Sequence, residues 1–360
     1  MKPTILISIV VAVLILGGFF LFSSRSQFDL PQGVTEPLHT NEEGESMIKN
    51  EKTNETNSQI GDSKTTSSRR THTREVFVTD GVKHSIPLHE ILSGGPAKDG
   101  IPSIDNPKFI DVIEANSYVA NDSVGLGITI NGESRFYPYN ILVWHEIVND
   151  TIAGEPVLVT YCPLCATGIV FERKVNGKVQ EFGVSGRLWQ SNLLMYNRAK
   201  REQDESLWSQ VLGEAVLGPN TGEKLAIVRS DTVKWEDWKK LHPDTKVLSR
   251  DTGAIRSYGV DPYGDYYSND SVSFGATFND DRLHPKTFVL GIEIDGKFKA
   301  YDVDAIPQGE SSDVFQGEAI TITKSAAGEV GMSIGGDELP YVGGFWFSWL
   351  AVHPETELFK

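Results

Sequence analysis

Cysteine is nearly missing from this chain: its 360 residues contain only two, Cys162 and Cys165. That excludes a scaffold stapled by several disulfides, and it excludes a four-cysteine zinc site. Basic residues are also in deficit, 33 Lys and Arg against 49 Asp and Glu, for a formal charge of -16. Nucleic acid and anionic headgroups are therefore not expected partners, because affinity for phosphate comes from clustered Lys and Arg. A third absence is the long amphipathic helix that follows the C-x-x-C of a thioredoxin. Here Gly168-Ile169-Val170-Phe171 reads as a strand, which argues against that fold.

What is present begins with an apolar run. Thr4 to Phe22 carry no charge and are mostly Ile, Leu, Val, Phe, Ala and Gly. As a helix rising about 1.5 Å per residue, the run matches a hydrocarbon core about 30 Å thick. Residues 1–22 are expected to be a transmembrane anchor, with a signal peptide cleaved near Ser24 and Ser26 as the alternative. The anchor reading makes the membrane the one partner visible in sequence, and both readings place the folded part outside the cytoplasm, secreted if the segment is cleaved. Residues 23–75 turn to Ser, Thr, Asn, Glu, Gln and Lys without periodicity and are expected to be a disordered tether. Asn54, Asn121, Asn149 and Asn269 open glycosylation sequons, which matter only in a glycosylating host.

From residue 76 onward the pattern is mainly β (α+β), with antiparallel sheets or barrel-like units and a few short helices. Asn131-Gly132, Asn176-Gly177 and Asp295-Gly296 each sit between alternating segments, the preferred pairs for two-residue hairpin turns. Tyr139 to Asn149 is expected to be a short helix, and Thr232 to His242 another, capped by Asp231 or Thr232 and stopped by Pro243. The chain also repeats itself. Gly127–Gly132 is echoed by Gly291–Gly296, Gly154–Thr160 by Gly317–Thr323, and Trp235, Trp238, His242, Pro243 and Thr245 by Trp346, Trp349, His353, Pro354 and Thr356. The expectation is an internal duplication: a first β-rich unit, 76–255, with a large insertion after the cysteines, and a second, degenerate unit, 256–360. At the positions of Cys162 and Cys165 the second unit has Ser325 and Gly328, so the scaffold is expected to form without them.

Five stretches together resemble a known family. They are Gly94-Gly95-Pro96 with Asp99-Gly100-Ile101-Pro102, His145 to Asp150, Tyr161-Cys162-Pro163-Leu164-Cys165, Met195-Tyr196-Asn197-Arg198, and Ser206 to Gln210. The set resembles the uncharacterised family catalogued as domain of unknown function 3179, from about Ile91 onward. Ala166 stands where that pattern usually has Gly, and Asn197 where it usually has Asp. The resemblance implies no activity; it sharpens the choice of residues.

Three readings of the C-x-x-C remain open: a redox dithiol, a soft-metal site for Cu or Zn, or an inert disulfide in a surface interaction module. The candidate catalytic residues are Cys162, Cys165 and His145, which are also the candidate metal ligands, with Met195 as a further soft donor. Glu146, Arg187, Met195, Tyr196, Arg198 and Trp208 are the candidate ligand-binding residues. Set against this, tryptophans are usually core, and the arginines have acidic neighbours to pair with.

Overall fold

The computed structural model describes residues 74–359, together with the backbone of a two-residue strand at Glu36–Pro37. The expected anchor, residues 1–22, and most of the expected tether lie outside the described residues. Among the described residues no helix is long and apolar enough to cross a membrane.

The protein is mainly β, with antiparallel sheets and a few short helices. The three Asn-Gly and Asp-Gly pairs all close hairpins, and each places both residues at positive φ. The first hairpin, Val124–Ile130 with Glu133–Pro138, is flanked by Asp231–Lys234 on one side and Lys246–Leu248, in parallel, on the other. Phe288–Ile294 and Lys297–Asp302 form the same hairpin later in the chain, flanked by Val342–Phe345 and, in parallel, Glu357–Phe359. The registers correspond pair for pair: Gly127 faces Asp231 as Gly291 faces Val342, and Arg135 faces Lys246 as Lys299 faces Glu357.

The side chains repeat with the backbone. Trp238 lies on Gly127 and Trp349 on Gly291; a Cβ added at either glycine would come within 2.3–2.4 Å of the indole. Each indole N–H donates to a threonine, Trp238 to Thr245 at 3.0 Å and Trp349 to Thr356 at 2.9 Å. A cation–carboxylate–tyrosine trio also recurs. Arg135 and Tyr137 meet Asp150, while Lys299 and Tyr301 meet Asp313.

Two expected helices are shorter than their spacing suggests. The first covers Tyr139–Leu142 only, because Glu146 takes a left-handed φ of 60° and the β-branched Ile147 and Val148 begin the strand Ile147–Ile152. The second covers Trp235–Leu241; Asp231–Lys234 before it is a strand, and Lys234, not Asp231 or Thr232, is the N-cap.

The cysteine hairpin, Glu155–Cys162 and Thr167–Glu172, lies in a sheet with strands from both sides of residue 255. Thr167–Glu172 meets Val342–Phe345 at Gly168 and Gly343. The insertion after the cysteines builds a sheet of its own. It contains Phe182–Trp189, Asn192–Asn197, Leu207–Ser209 and Glu214–Leu217, and is extended by the N-terminal hairpin Phe77–Thr79 and Val82–His84. One buried cluster joins Cys162, Cys165, Trp189, Trp208, Val289, Trp346 and Phe347. The insertion sheet therefore packs on one face of the cysteine hairpin. Over the same site passes the segment 249–287, whose only regular element is a single 3-10 turn at Tyr266–Ser268.

Candidate active site

Cys162 ends a strand buried almost throughout, and Pro163–Cys165 form one 3-10 turn whose proline needs no backbone partner at its first position. The turn closes at Ala166, which is left-handed at φ 48°, ψ 25°. A Cβ is unfavourable in that conformation, which explains a preference for glycine there. Both cysteines are free thiols and buried, 2% and 0% exposed. The turn therefore closes without a disulfide.

The carbonyl of Ser191 faces both sulfurs, 3.2 Å from Cys165 Sγ and 3.9 Å from Cys162 Sγ. Ser191 and Gln190 are the two turn residues of the hairpin between Phe182–Trp189 and Asn192–Asn197, with φ of 63° and 53°. Neither is Gly or Asn, so the conformation that aims this carbonyl is held against its own steric preference. Behind the turn, buried Gln210 receives from Thr167 Oγ1 at 2.7 Å and Asn192 Nδ2 at 2.9 Å, and donates to Thr160 Oγ1 and the Thr167 carbonyl, both at 3.0 Å. These bonds tie the insertion sheet to the cysteine hairpin.

The two thiols differ. Burial, and next the adjoining Cys165, push Cys162 well above the ordinary thiol range. Burial also acts upward on Cys165, but the polar surroundings supplied by Cys162, Ser348 and Asn192 outweigh it and hold this thiol below its ordinary value. Cys165 is the more acidic of the pair.

Glu146 is the third ionisable group here. It is 7% exposed. Burial, then the nearby charge of Cys162, raises its pKa well above the usual carboxylate range. Its left-handed backbone is fixed on both sides, Glu146 N–H to the Leu142 carbonyl at 2.7 Å and Tyr161 N–H to its own carbonyl at 2.8 Å. In the second unit the corresponding strand starts at Gly309, also left-handed at φ 92°. Glycine fills this backbone position without strain, so the carboxyl is not there for the fold's sake.

His145 is not brought to the sulfurs. Its Nδ1–H donates to the Pro102 carbonyl and its Nε2 accepts from Tyr258 Oη, each at 2.7 Å. Burial holds the imidazole below its ordinary pKa. The three-ligand set Cys162, Cys165 and His145 is thus not assembled, and among the described residues no three His, Cys, Asp or Glu converge as a metal site would require.

Most of the expected ligand-binding residues serve the scaffold. Met195 is fully buried opposite Trp208, whose indole donates to Asn197 Oδ1 at 2.9 Å. Asn197 Oδ1 also accepts from Ser206 N–H, a duty either Asn or Asp can perform. Tyr196 Oη donates to Asp99 at 2.6 Å, and Arg198 binds Asp105 at 2.5 Å and Ser103 at 2.7 Å, so both anchor the 98–105 loop. Arg187 lies in the strand Phe182–Trp189, beside Ser93 and opposite Leu194. Asn149 is buried, and its side chain bonds Asp105 and both backbone groups of Phe182, so its sequon is not available for glycosylation.

The residues that sequence reasoning missed are Gln190, Ser191, Asn192, Ser348 and the tyrosines of the covering segment. Ser191 acts through its carbonyl, which leaves no mark on side-chain chemistry. The run Tyr258, Tyr263, Tyr266 and Tyr267 was a visible signal. Tyr266 Oη donates to the Leu164 carbonyl at 3.0 Å, and its own pKa is pushed up to about 12 by burial and then by the charge of Cys165.

A family described as a protein of unknown function, DUF3179, matches residues 98–335, well over half the chain. The chain belongs to this family. The family's span includes the cysteine turn, Glu146, the insertion sheet and the covering segment, and leaves Gly94-Gly95-Pro96 just outside. No curated protein and no solved structure matches the chain.

Proposed function

We propose that Cys162 and Cys165 are a redox dithiol that exchanges with disulfides, with Glu146 as its proton carrier. Glu146 carries the reading: a buried carboxyl whose pKa is raised, on a left-handed backbone position, interacting electrostatically with the less acidic of two free thiols. Burying such a group costs stability, and a carboxyl of raised pKa beside a dithiol suits the transfer of the dithiol's proton.

In the oxidative direction the Cys165 thiolate attacks a sulfur of a substrate disulfide RSSR, forming Cys165–S–SR and releasing RS⁻. Glu146 takes the proton of Cys162, whose sulfur then attacks Cys165 and releases the second RS⁻. Two thiols become one disulfide, and RSSR becomes two RSH, whose protons are the one Cys165 lost to solvent and the one Glu146 took from Cys162 and passes on. The reverse returns the proton from Glu146 to Cys162. A raised pKa brings the carboxyl closer to the range in which it can both take and return this proton. The soft-metal reading has only the two sulfurs in support, since His145 is committed elsewhere.

We read the second unit as a duplicate of the first that lacks this chemistry, and the N-terminal segment as placing the dithiol outside the cytoplasm, where disulfide substrates persist. The test is the rate of disulfide formation in the full chain with glutathione disulfide, followed by intact mass after acid quench. Glu146→Gln is expected to slow it about 100-fold, the low end for loss of a general acid–base group. An unchanged rate would remove Glu146 from the mechanism.

A further inference from the structure

Among the fastenings of the covering segment 249–287, three lie beside residues of the dithiol site. Tyr258 Oη bonds His145, the neighbour of Glu146. Tyr266 Oη bonds the carbonyl of Leu164, between the cysteines. The N–H of Thr277 donates to Gln190 Oε1 at 2.6 Å, and Gln190 adjoins Ser191. Gln190 is 7% exposed and Ser191 0%, and Gln190 Nε2 also holds Glu90 at 3.0 Å. With almost no regular hydrogen bonding of its own, the segment is held by such points and by the packing of Tyr263, Tyr266, Phe278 and Leu283 on the buried cluster.

Of the three, the Gln190 fastening differs in kind. It sits on the turn whose two left-handed residues aim a carbonyl at the sulfurs, and that carbonyl accepts S–H from Cys165. Oxidation joins Cys162 Sγ to Cys165 Sγ and removes both S–H protons. The carbonyl of Ser191 then faces a disulfide that donates nothing, while the steric preference of Gln190 and Ser191 against the left-handed region is unopposed.

We propose that the Gln190–Ser191 turn positions the reduced dithiol and couples its redox state to closure of the 249–287 segment, so that the site is covered when reduced and opens when oxidised. The proposal rests on the redox reading above. Its physical content is a linkage: the closed segment stabilises the reduced pair through the turn, and oxidation must loosen the segment by the same factor. One hydrogen bond of ordinary net worth makes that factor about fivefold, or about 20 mV in the potential of the couple. Because stabilising the reduced form makes a dithiol more oxidising, cutting the coupling lowers the potential.

The test uses the full chain reduced with dithiothreitol or oxidised with glutathione disulfide, and follows native-state trypsin cleavage at Arg256, which lies in the segment. Cleavage tracks the open population when opening is fast. The expected result is cleavage about fivefold faster in the oxidised chain. In Gln190→Ala the reduced chain is cleaved as fast as the oxidised one, and the potential falls by about 20 mV. Tyr258→Phe removes a fastening that does not pass through the turn; it speeds cleavage in both states and leaves their ratio and the potential unchanged. Equal cleavage of the two wild-type states overturns the coupling. Should Gln190→Ala not fold, the wild-type ratio and Tyr258→Phe still decide. If glutathione disulfide leaves the intact mass of the quenched, alkylated chain unchanged, the redox reading itself fails, and the coupling with it.

Discussion

Glu146 and Ala166 flank the dithiol in sequence, and both occupy left-handed backbone positions. Their expected responses to glycine differ. Ala166→Gly removes only a steric cost, and denaturant unfolding is expected to show a gain of about 1 kcal/mol with dithiol chemistry intact. Glu146→Gly copies Gly309 of the second unit and also removes a buried carboxyl, so it is expected to stabilise by more than Ala166→Gly while slowing disulfide formation. A variant that is stabilised yet fully active would contradict the role given to this carboxyl. The sign of its pH dependence follows from the raised pKa. The folded chain holds this proton where the unfolded chain, near pH 4.3, has released it. The stability it confers is complete below that pH and is lost as pH rises toward the folded value. Unfolding measured from pH 4 to 8 should therefore decline less steeply in Glu146→Gln than in the wild type. The cysteine turn was legible from residue type and spacing, whereas Glu146 was expected only as a ligand-binding residue and His145 as the ligand or base. The commitment of His145 to Pro102 and Tyr258 was not legible, because both partners are distant in sequence.

Among the elements, the hairpins were the most legible, since Asn-Gly and Asp-Gly demand positive φ and all three close turns. The helices were less so. Ile141, Leu142, His145 and Val148 fit a helical period, yet one left-handed residue at 146 and the β-branched pair after it end the helix at Leu142. The repeated Trp-on-Gly contact and the repeated cation–carboxylate–tyrosine trio hold the two hairpin units. Gly291→Ala would press a methyl into Trp349 and is expected to cost about 1–3 kcal/mol in chemical unfolding. Asp313→Ala would strand Lys299, 7% exposed, without its carboxylate, and is expected to cost about 3–5 kcal/mol. Losses under 1 kcal/mol at both sites would mean that these contacts are incidental to the fold.

At the scale of the molecule, the tryptophans and glycines that recur in order along the chain also recur in matching strand registers, on the two sides of residue 255. Strands from both sides of it share a sheet, and one buried cluster includes side chains from the cysteine hairpin, the insertion and the second unit. The insertion and the 249–287 segment both cover the first unit's cysteine turn, so the asymmetry of the chemistry follows the asymmetry of the chain. The central claim is that this covered turn is a working dithiol. Its most direct test is an equilibrium redox titration of the full chain in dithiothreitol and glutathione buffers, with free thiols alkylated and counted by intact mass. The account predicts one reversible two-electron couple that disappears in Cys162→Ser and in Cys165→Ser, with a potential falling about 59 mV per pH unit as two protons leave with two electrons. A pair that stays reduced across all accessible buffers, or a disulfide that no buffer reduces in the folded chain, would contradict it.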